Sequence, residues 1–225
     1  MKNLPAKFLS IGEIDSLELI ELIANDITEH QVIFDIGANI GTWTLLAKSF
    51  LPNARVYAFE PLEKHIVEFE TNCSGTENVF IQKYCVGNEN KTDQLNVSSF
   101  SDSSSLLDAT PLEFQTYHIK KEKEVQVQVR KLSTLINQDE LPVPDILKLD
   151  IQGYELEALK GLENYIHQVR YIICEVSFKE YYKGQPLFND VVSYLAKYGL
   201  TLFALGKNTP IGEELDQIDI LFKRI

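Results

Sequence analysis

Short apolar runs that end at a turn residue alternate along this chain with segments in which apolar residues recur every three to four positions. The runs predict buried strands, and the segments with the longer period predict helices. Seven strands follow in chain order: VIFDIG (32–37), RVYAFEP (55–61), VFIQKYCV (79–86), DILKLDIQG (145–153), YIICEVSF (171–178), TLFALG (201–206) and IDILFKRI (218–225). Strands that alternate with helices predict an α/β fold, with a mostly parallel sheet and helices on both faces.

The N-terminal residues 1–30 are predicted to form a helical cover at an edge of the core. Asp15 and Glu18 have the spacing of a capping box, so the helix is expected to begin at 15 and to run to 27. The same apolar period predicts the other helices, which are expected over 42–50, 63–72, 154–162 and 188–195.

Residues 88–143 are too many for a simple connection, so they are interpreted as an insertion with structure or function of its own. QLNVSS (94–99) and EVQVQVR (124–130) alternate with period two, which predicts an added antiparallel pair of strands. The polar residues between them include SSFSDSSS (98–105) and are interpreted as a mobile loop. Residues 98–123 are expected to form a lid that becomes ordered over a bound acceptor.

Composition narrows the classes of partner. The 225 residues fit one domain, and 33 acidic against 21 basic residues give a net charge of −12. This charge makes nucleic acid and anionic membrane surfaces unfavourable partners. The three cysteines form no CxxC pair, so neither a disulfide framework nor a zinc site is expected. Without a signal-peptide pattern or a long apolar run, the chain is expected to be cytosolic, and its oligomeric state stays open.

The segment FDIGANIG (34–41) connects the first predicted strand to a helix, where doubly wound sheets bind nucleotides. Gly37 and Gly41 permit a tight turn and close approach of the backbone to a ligand. The dinucleotide fingerprint is G-x-G-x-x-G, whereas this turn reads D-x-G-x-N-x-G, with Asp35 before the first glycine. A carboxylate repels a pyrophosphate and attracts a cation, which favours S-adenosylmethionine, a ligand with an ammonium, a sulfonium and no phosphate.

Glu60 ends the second predicted strand, about 20 residues after Gly41, where an acid binds the ribose hydroxyls of an adenosine ligand. NAD and S-adenosylmethionine share that feature, so Asp35 decides between them; it is expected to bind the methionine ammonium. An NAD-binding oxidoreductase and a non-catalytic adenosine-binding domain stay as alternatives. Trp43, beside the turn, is interpreted as core packing.

Charged residues gather at the carboxyl ends of the fourth and fifth predicted strands. Asp150 and Glu175 lie at these ends, Lys148 shares a face with Asp150, and Glu155 follows in the next helix. All four are catalytic candidates, and Asp150 is preferred as the base or as the group that orients the acceptor. Lys148 and Glu175 could instead be counter-charges, and Glu155 could complement a helix dipole. The carboxylates could also bind Mg²⁺, which the sequence leaves open.

VIFDIGANIGTWTLLAK, VYAFEP and DILKLDIQGYELEALKGL resemble the FkbM-type methyltransferases, and the resemblance covers roughly residues 30–205. It implies a single Rossmann-like class I methyltransferase domain over 1–225, with S-adenosylmethionine as cofactor. It also implies O-methylation of a hydroxyl on a small molecule, sugar or natural product, or of a peptide carboxylate in some relatives. The cofactor-binding residues implied are Asp35, Gly37, Asn39, Gly41, Thr42, Glu60, Val86 and Asp150.

Overall fold

The computed structural model describes residues 11–27, 31–207 and 214–225. Within these ranges the strands are β1 Val32–Ile36, β2 Arg55–Phe59, β3 Val79–Gln82, β4 Cys85–Gly87, β5 Lys91–Ser98, β6 Lys121–Lys131, β7 Ile146–Leu149, β8 Tyr171–Ser177, β9 Leu200–Leu205 and β10 Gln217–Arg224. The α-helices are α1 Ile11–Asp26, α2 Thr42–Phe50, α3 Glu63–Asn72, α4 Pro111–Tyr117, α5 Leu132–Asn137, α6 Glu155–Lys160 and α7 Phe188–Ala196. Two 3₁₀ turns, Ser101–Ser103 and Glu163–Gln168, complete these elements.

The central sheet has seven strands in the order β3-β2-β1-β7-β8-β10-β9. The neighbouring strands β3, β2, β1, β7 and β8 run parallel to one another. Strand β10 lies between β8 and β9 and is antiparallel to both. The predicted seven-stranded, mostly parallel sheet is therefore confirmed. The chain order reverses between β1 and β7, and such a switch point opens a crevice at the carboxyl ends of the strands.

Successive residues of β1 point into two different helix layers, as the period of a strand requires. Ile33 belongs to the apolar cluster that α1 and α2 form on one face of the sheet. Phe34 and Ile36 belong to the larger cluster on the other face, which contains residues of α5, α6 and α7. Helices thus cover both faces of the central sheet. The crevice at the carboxyl ends of the strands is therefore the expected place for a site.

The run 79–86, predicted as one strand, is two strands in different sheets. β3 is an edge of the central sheet, whereas β4 pairs in parallel with β6. The predicted antiparallel pair is present as β5 and β6, and β4 makes it a three-stranded sheet. The break lies at Lys83 and Tyr84, and because Val86 beyond it is buried again, the sequence pattern alone did not separate the two strands.

The N-terminal helix begins at Ile11, so the predicted start at Asp15 is wrong. Leu19, Ile20 and Ile23 of this helix are buried against the sheet, as their spacing predicted. The rest of the predicted cover, residues 1–10 and 28–30, lies outside the described residues. In the part of the chain that the structure describes, no helix combines the length and apolar character that a membrane span requires.

Candidate active site

A cavity of about 440 Å³ opens at the carboxyl ends of the central strands. Ligand pockets commonly have volumes of about 300–1,000 Å³. Most of the residues singled out from the sequence line this cavity, namely Gly37, Asn39, Thr42, Glu60, Val86, Lys148, Asp150 and Glu175. Three of them, Asp35, Gly41 and Glu155, lie outside its lining. The structure therefore brings the two predicted groups, one for a cofactor and one for catalysis, into a single site.

The turn after β1 needs glycine at its first position. Gly37 has a φ of +87°, and a Cβ on it would lie 2.0 Å from the carbonyl oxygen of Asp150. The amides of Gly37 and Ala38 both donate to the carbonyl oxygen of Phe59, at 3.1 and 3.0 Å. The turn is thus fixed between the ends of β2 and β7. Gly41, with a φ of +89°, packs instead against Phe69 of α3.

Asp35 lies beneath the cavity and is fully buried. Its Oδ2 accepts a hydrogen bond from the Thr44 hydroxyl at 2.6 Å, while its Oδ1 has no hydrogen-bond partner among the described residues. Burial raises the pKa of Asp35, and the nearby Lys148 ammonium opposes that shift. The Asp35 side chain is not part of the cavity lining. Its expected interaction with the methionine ammonium, directly or through water, therefore stays a prediction.

Glu60 lines the cavity and also holds the surrounding backbone in place. Its Oε1 accepts from the amide of Leu62 at 2.9 Å, and its Oε2 accepts from the amide of Asn39 at 3.1 Å. His65 of α3 lies with Nδ1 3.3 Å from Oε1. A carboxylate offers about four lone-pair sites, so Glu60 keeps capacity for a ligand hydroxyl. His65, which belongs to no recognised sequence motif, is buried and lines the cavity.

Lys148 and Asp150 form an ion pair at the end of β7. The Lys148 ammonium lies 3.0 Å from Asp150 Oδ2, with the lysine side chain 6% exposed and the aspartate side chain 34% exposed. Burial alone would lower the pKa of Lys148, but the carboxylates of Asp150, Asp35 and Asp219 outweigh burial and raise it. Lys148 is thus a permanent cation that holds Asp150 in position while leaving it open to the cavity.

Glu175 on β8 lies directly opposite Asp219 on β10, and both line the cavity. Burial, followed by the Asp150 and Asp219 carboxylates, raises the pKa of Glu175 well above its ordinary value. The Ser16 hydroxyl of α1 donates to Asp219 Oδ2 at 2.5 Å. Asp219 and Ser16 were not predicted from the sequence as site residues. An aspartate within the apolar run IDILF was the available signal, but its partner strand could not be known.

Gln152 connects Asp150 and Glu175, two of the four catalytic candidates. Its Nε2 donates to Asp150 Oδ1 at 2.9 Å and to Glu175 Oε2 at 3.3 Å. Its Oε1 accepts from the Tyr182 hydroxyl at 3.1 Å, and that hydroxyl lies 3.3 Å from Glu113 of α4. Burial raises the pKa of Glu113. Gln152 belongs to the recognised segment DIQGYE, yet its bridging role depends on Tyr182, which is distant in sequence.

Glu155 has a different position from the other acids. It is buried, and its Oε1 accepts from the amides of Ile151 at 2.9 Å and Gly153 at 3.2 Å. Burial raises the pKa of Glu155 to about 7, against the lowering effect of these backbone hydrogen bonds. It therefore holds the loop after β7 and does not face a ligand, so the geometry gives no support to direct catalysis by Glu155.

The Ser-rich segment is part of the site. Asp102, Ser104 and Leu106 line the cavity, and the Asn39 side chain donates to the Asp102 carboxylate. The Ser105 hydroxyl, which is buried, donates to the carbonyl oxygen of Gln152 at 2.6 Å. The stretch interpreted as a mobile loop contains the 3₁₀ turn Ser101–Ser103 and is followed by α4, and these contacts seat it on the strand ends. Its mobility without ligand stays a prediction.

The possibility of a magnesium site, which the sequence leaves open, receives no support. Across residues 11–27, 31–207 and 214–225, no three side chains of His, Cys, Asp or Glu converge to hold a metal ion.

Known proteins that are similar to this chain include methyltransferases. A family model described as the methyltransferase FkbM domain matches residues 35–202. The chain is 26% identical over 159 residues to the hexuronic acid methyltransferase AglP of Haloferax volcanii, covering 71% of this chain and 61% of that protein. It is 22% identical over 176 residues to the 2-O-methyltransferase NoeI of Sinorhizobium fredii, covering 75% and 72%. The chain thus spans about three-fifths of the Haloferax protein's length.

A solved structure shares the fold. TrmK of M. capricolum, in complex with S-adenosyl-homocysteine, superposes with a TM-score of 0.53 at 11% identity, covering 96% of this chain and 69% of that one. A likeness at this identity concerns the fold alone, which is that of the class I methyltransferases. The expected fold class is thereby confirmed.

Proposed function

The chain belongs to the FkbM methyltransferase family, and from this premise we propose that it transfers a methyl group from S-adenosylmethionine to a hydroxyl oxygen. The acceptor would be a sugar or another small natural product. The observation that carries the proposal is Asp150, which lies at the carboxyl end of β7, half-exposed to the cavity and fixed by Lys148 and Gln152.

The residues around the glycine turn fit S-adenosylmethionine. Glu60 presents a carboxylate for ribose hydroxyls, and Gly37 allows the backbone to approach a ligand without a side chain in the way. Asn39 Oδ1 is buried and has no hydrogen-bond partner within the described residues, so a donor on a ligand would satisfy it. When bound, the cofactor supplies a methyl group activated by a positively charged sulfur.

The residues of the chain have separate tasks in this proposal. Asp150 accepts the hydrogen bond of the acceptor hydroxyl and takes its proton, since such a hydroxyl is too weak an acid to lose it unaided. Lys148 and Gln152 each bind one oxygen of the Asp150 carboxylate and so restrict its orientation. Orientation matters because methyl transfer is an in-line displacement that depends on close, aligned reacting atoms.

Two alternatives would use the same cavity differently. A carboxylate acceptor is already ionised and needs no base, so the fixed Asp150 would have no proton to take. A non-catalytic adenosine-binding domain would have no use for the carboxylates beyond Glu60. One relative is named a 2-O-methyltransferase, which supports transfer to a hydroxyl oxygen, and the other is named a hexuronic acid methyltransferase, which supports a carbohydrate acceptor.

The Asp150→Asn variant tests the proposal. We expect kcat for formation of S-adenosylhomocysteine to fall by about 10²-fold or more, because a positioned base contributes typically 10²–10⁴-fold. The dissociation constant for S-adenosylmethionine, measured by titration calorimetry, should change by no more than a few-fold, because Asn keeps the shape of the side chain. If the folded variant turns over normally and only its thermal stability falls, Asp150 merely neutralises Lys148 and the proposed role is wrong.

A further inference from the structure

The cavity is small for two ligands. Its volume of about 440 Å³ lies in the lower part of the range of roughly 300–1,000 Å³ that pockets for one drug-sized molecule have. S-adenosylmethionine is a molecule of that size, and its proposed site and the proposed catalytic edge lie within this one cavity. Beside the cofactor, the cavity therefore has room for little more than the ring that bears the methylated hydroxyl. A larger acceptor must extend over the surface outside it.

The insertion forms one wall of this cavity, and an exposed aromatic residue lies next to that wall. Asp102 and Ser104 belong to the lining. Phe100 directly precedes the 3₁₀ turn Ser101–Ser103 and is 60% exposed. Two residues of chain span at most about 7 Å, so Phe100 lies within reach of an acceptor that enters the cavity past Asp102.

A second exposed phenylalanine belongs to the same end of the insertion. The amide of Ser99 donates to the carbonyl oxygen of Lys120 at 2.7 Å, and the Lys120 amide donates to Ser99 Oγ at 3.1 Å. The Lys120 ammonium lies 5.7 Å from the ring centroid of Phe114, which is 46% exposed. The ring centroid of His118 lies 6.2 Å from that of Phe114. We call Phe100, Phe114 and His118 the aromatic patch.

The chemistry of the aromatic patch suits a sugar ring. One face of a sugar ring presents C–H groups with partial positive charge, and the face of an aromatic ring is negative. Ser99 and Lys120 are exposed beside the phenylalanines and can donate hydrogen bonds to sugar hydroxyls. Covering exposed apolar rings also removes apolar surface from water, which is favourable. Because the patch adjoins the cavity that the acceptor enters, its occupant is part of the acceptor itself.

We infer that the methyl acceptor is a carbohydrate of at least two linked sugar residues, of which one bears the methylated hydroxyl inside the cavity and the next packs on the aromatic patch. This inference rests on the proposed function and adds the size of its acceptor. The second residue lies away from the reacting atoms, so it contributes equally to binding before and during methyl transfer. It should therefore lower KM and leave kcat nearly unchanged.

The test compares acceptors that share a terminal ring and differ in length. The methyl glycosides of glucose and cellobiose form one pair, and those of glucuronic acid and glucuronosyl-glucose form the other. In at least one pair, we expect the two-ring compound to have a KM about three- to ten-fold lower, as one aromatic contact contributes, with kcat within about two-fold. Two-ring compounds no better than their single-ring partners, or an absence of turnover with all four, would overturn the inference.

Variants of Phe100 show whether the aromatic patch is responsible. Phe100→Ala should raise the KM of the two-ring compound about three- to ten-fold and leave that of the single ring unchanged, whereas Phe100→Trp keeps an aromatic face and should retain the advantage. The matched control is Phe203→Ala, since Phe203 is 50% exposed on the edge strand β9 and lies outside the cavity lining. Equal effects of the two alanine variants, or none from either, would remove the patch from the acceptor site.

The proposed function has a separate check. Calorimetry with S-adenosylmethionine needs no acceptor, and without cofactor binding the proposed function fails, whatever the glycosides show. If the cofactor binds and single rings are methylated with no gain from a second ring, the inference about acceptor size alone fails.

Discussion

Carboxylate side chains around this cavity have different tasks because their surroundings differ. Glu60 holds backbone amides at the mouth of the cavity, and Glu155 does the same beneath it. Asp150 is partly exposed, and it forms an ion pair with the buried Lys148 ammonium. Residue type and spacing identified these acids as one group, whereas burial and hydrogen-bond partners divide them into separate roles.

Glu60 allows a test of cofactor recognition at the scale of one residue. Glu60→Ala should weaken S-adenosylmethionine binding by about ten-fold or more, since a hydrogen bond to a charged group contributes roughly 1.5–3 kcal/mol. Glu60→Gln keeps one oxygen that can accept from Asn39 or Leu62, so it should show a smaller loss. Titration calorimetry measures both, and an unchanged dissociation constant in the alanine variant would remove Glu60 from the cofactor site.

Glu155 predicts a pH dependence of stability. Its pKa in the folded protein is about 7, above the ordinary value of 4.5, so the folded state holds a proton that the unfolded state loses. Stability from this group is therefore fully present below pH of about 4.5, falls as pH rises to about 7, and is constant above that. The free energy involved is on the order of 3 kcal/mol.

Glu155→Gln removes this titration while keeping an oxygen for the amides of Ile151 and Gly153. Urea unfolding at pH 4.5 and pH 8 should therefore show a smaller loss of stability with rising pH in the variant than in the parent protein. Equal slopes in the two proteins would mean that Glu155 is already ionised at the lower pH.

At the scale of elements, the site depends on contacts between segments distant in the chain. The loop after β7 contains Gln152, the segment after β8 contains Tyr182, and α4 of the insertion contributes Glu113. These three side chains form a connected set behind Asp150 and Glu175. The insertion is thus linked to the strand ends that carry Asp150 and Glu175, and its expected role over the acceptor stays a prediction.

Tyr182→Phe tests this linkage. The variant removes the hydroxyl that donates to Gln152, so the Gln152 side chain should lose its fixed orientation toward Asp150. We expect kcat to fall by about ten-fold and S-adenosylmethionine affinity to stay within a few-fold, because the hydroxyl lies behind the acids and away from Glu60.

Tyr181→Phe is the matched control. It removes a neighbouring buried hydroxyl that donates to Asp216 and has no contact with Gln152. This variant should keep its kcat even if its melting temperature falls. Similar kcat values for both variants, whether reduced or unchanged, would show that the Tyr182 hydroxyl has no special part in positioning the acids.

At the scale of the whole molecule, the central sheet was predictable from the sequence. The three-stranded sheet and the helices of the insertion were less predictable. Strong apolar runs and their turn residues gave all seven central strands, and α2 and α3 match the expected ranges. The division of residues 79–86 into β3 and β4 was not predicted, because both segments are largely apolar. Helix α4 was not predicted, because its sequence PLEFQTY is too short to show a clear apolar period.

The site was predictable where its residues follow strands in sequence, as Glu60 and Asp150 do. Asp219 and Tyr182 were missed because their places depend on the antiparallel return of β10 and on a loop contact, which no local pattern encodes. Asp35 is the opposite case. It precedes the glycine turn in sequence, but the structure buries it below the cavity, so its expected contact with the methionine ammonium stays a prediction.

The most direct measurement of the central claim follows the methyl group itself. The protein is incubated with S-adenosylmethionine carrying a ¹³C-labelled methyl group and with the methyl glycosides of glucose and glucuronic acid, and the products are identified by NMR and mass spectrometry. The account predicts S-adenosylhomocysteine and a labelled methyl ether in equal amounts, with the label stable to mild alkali. A label on a carboxyl ester, which mild alkali removes, or cofactor binding without any S-adenosylhomocysteine formed, would contradict it.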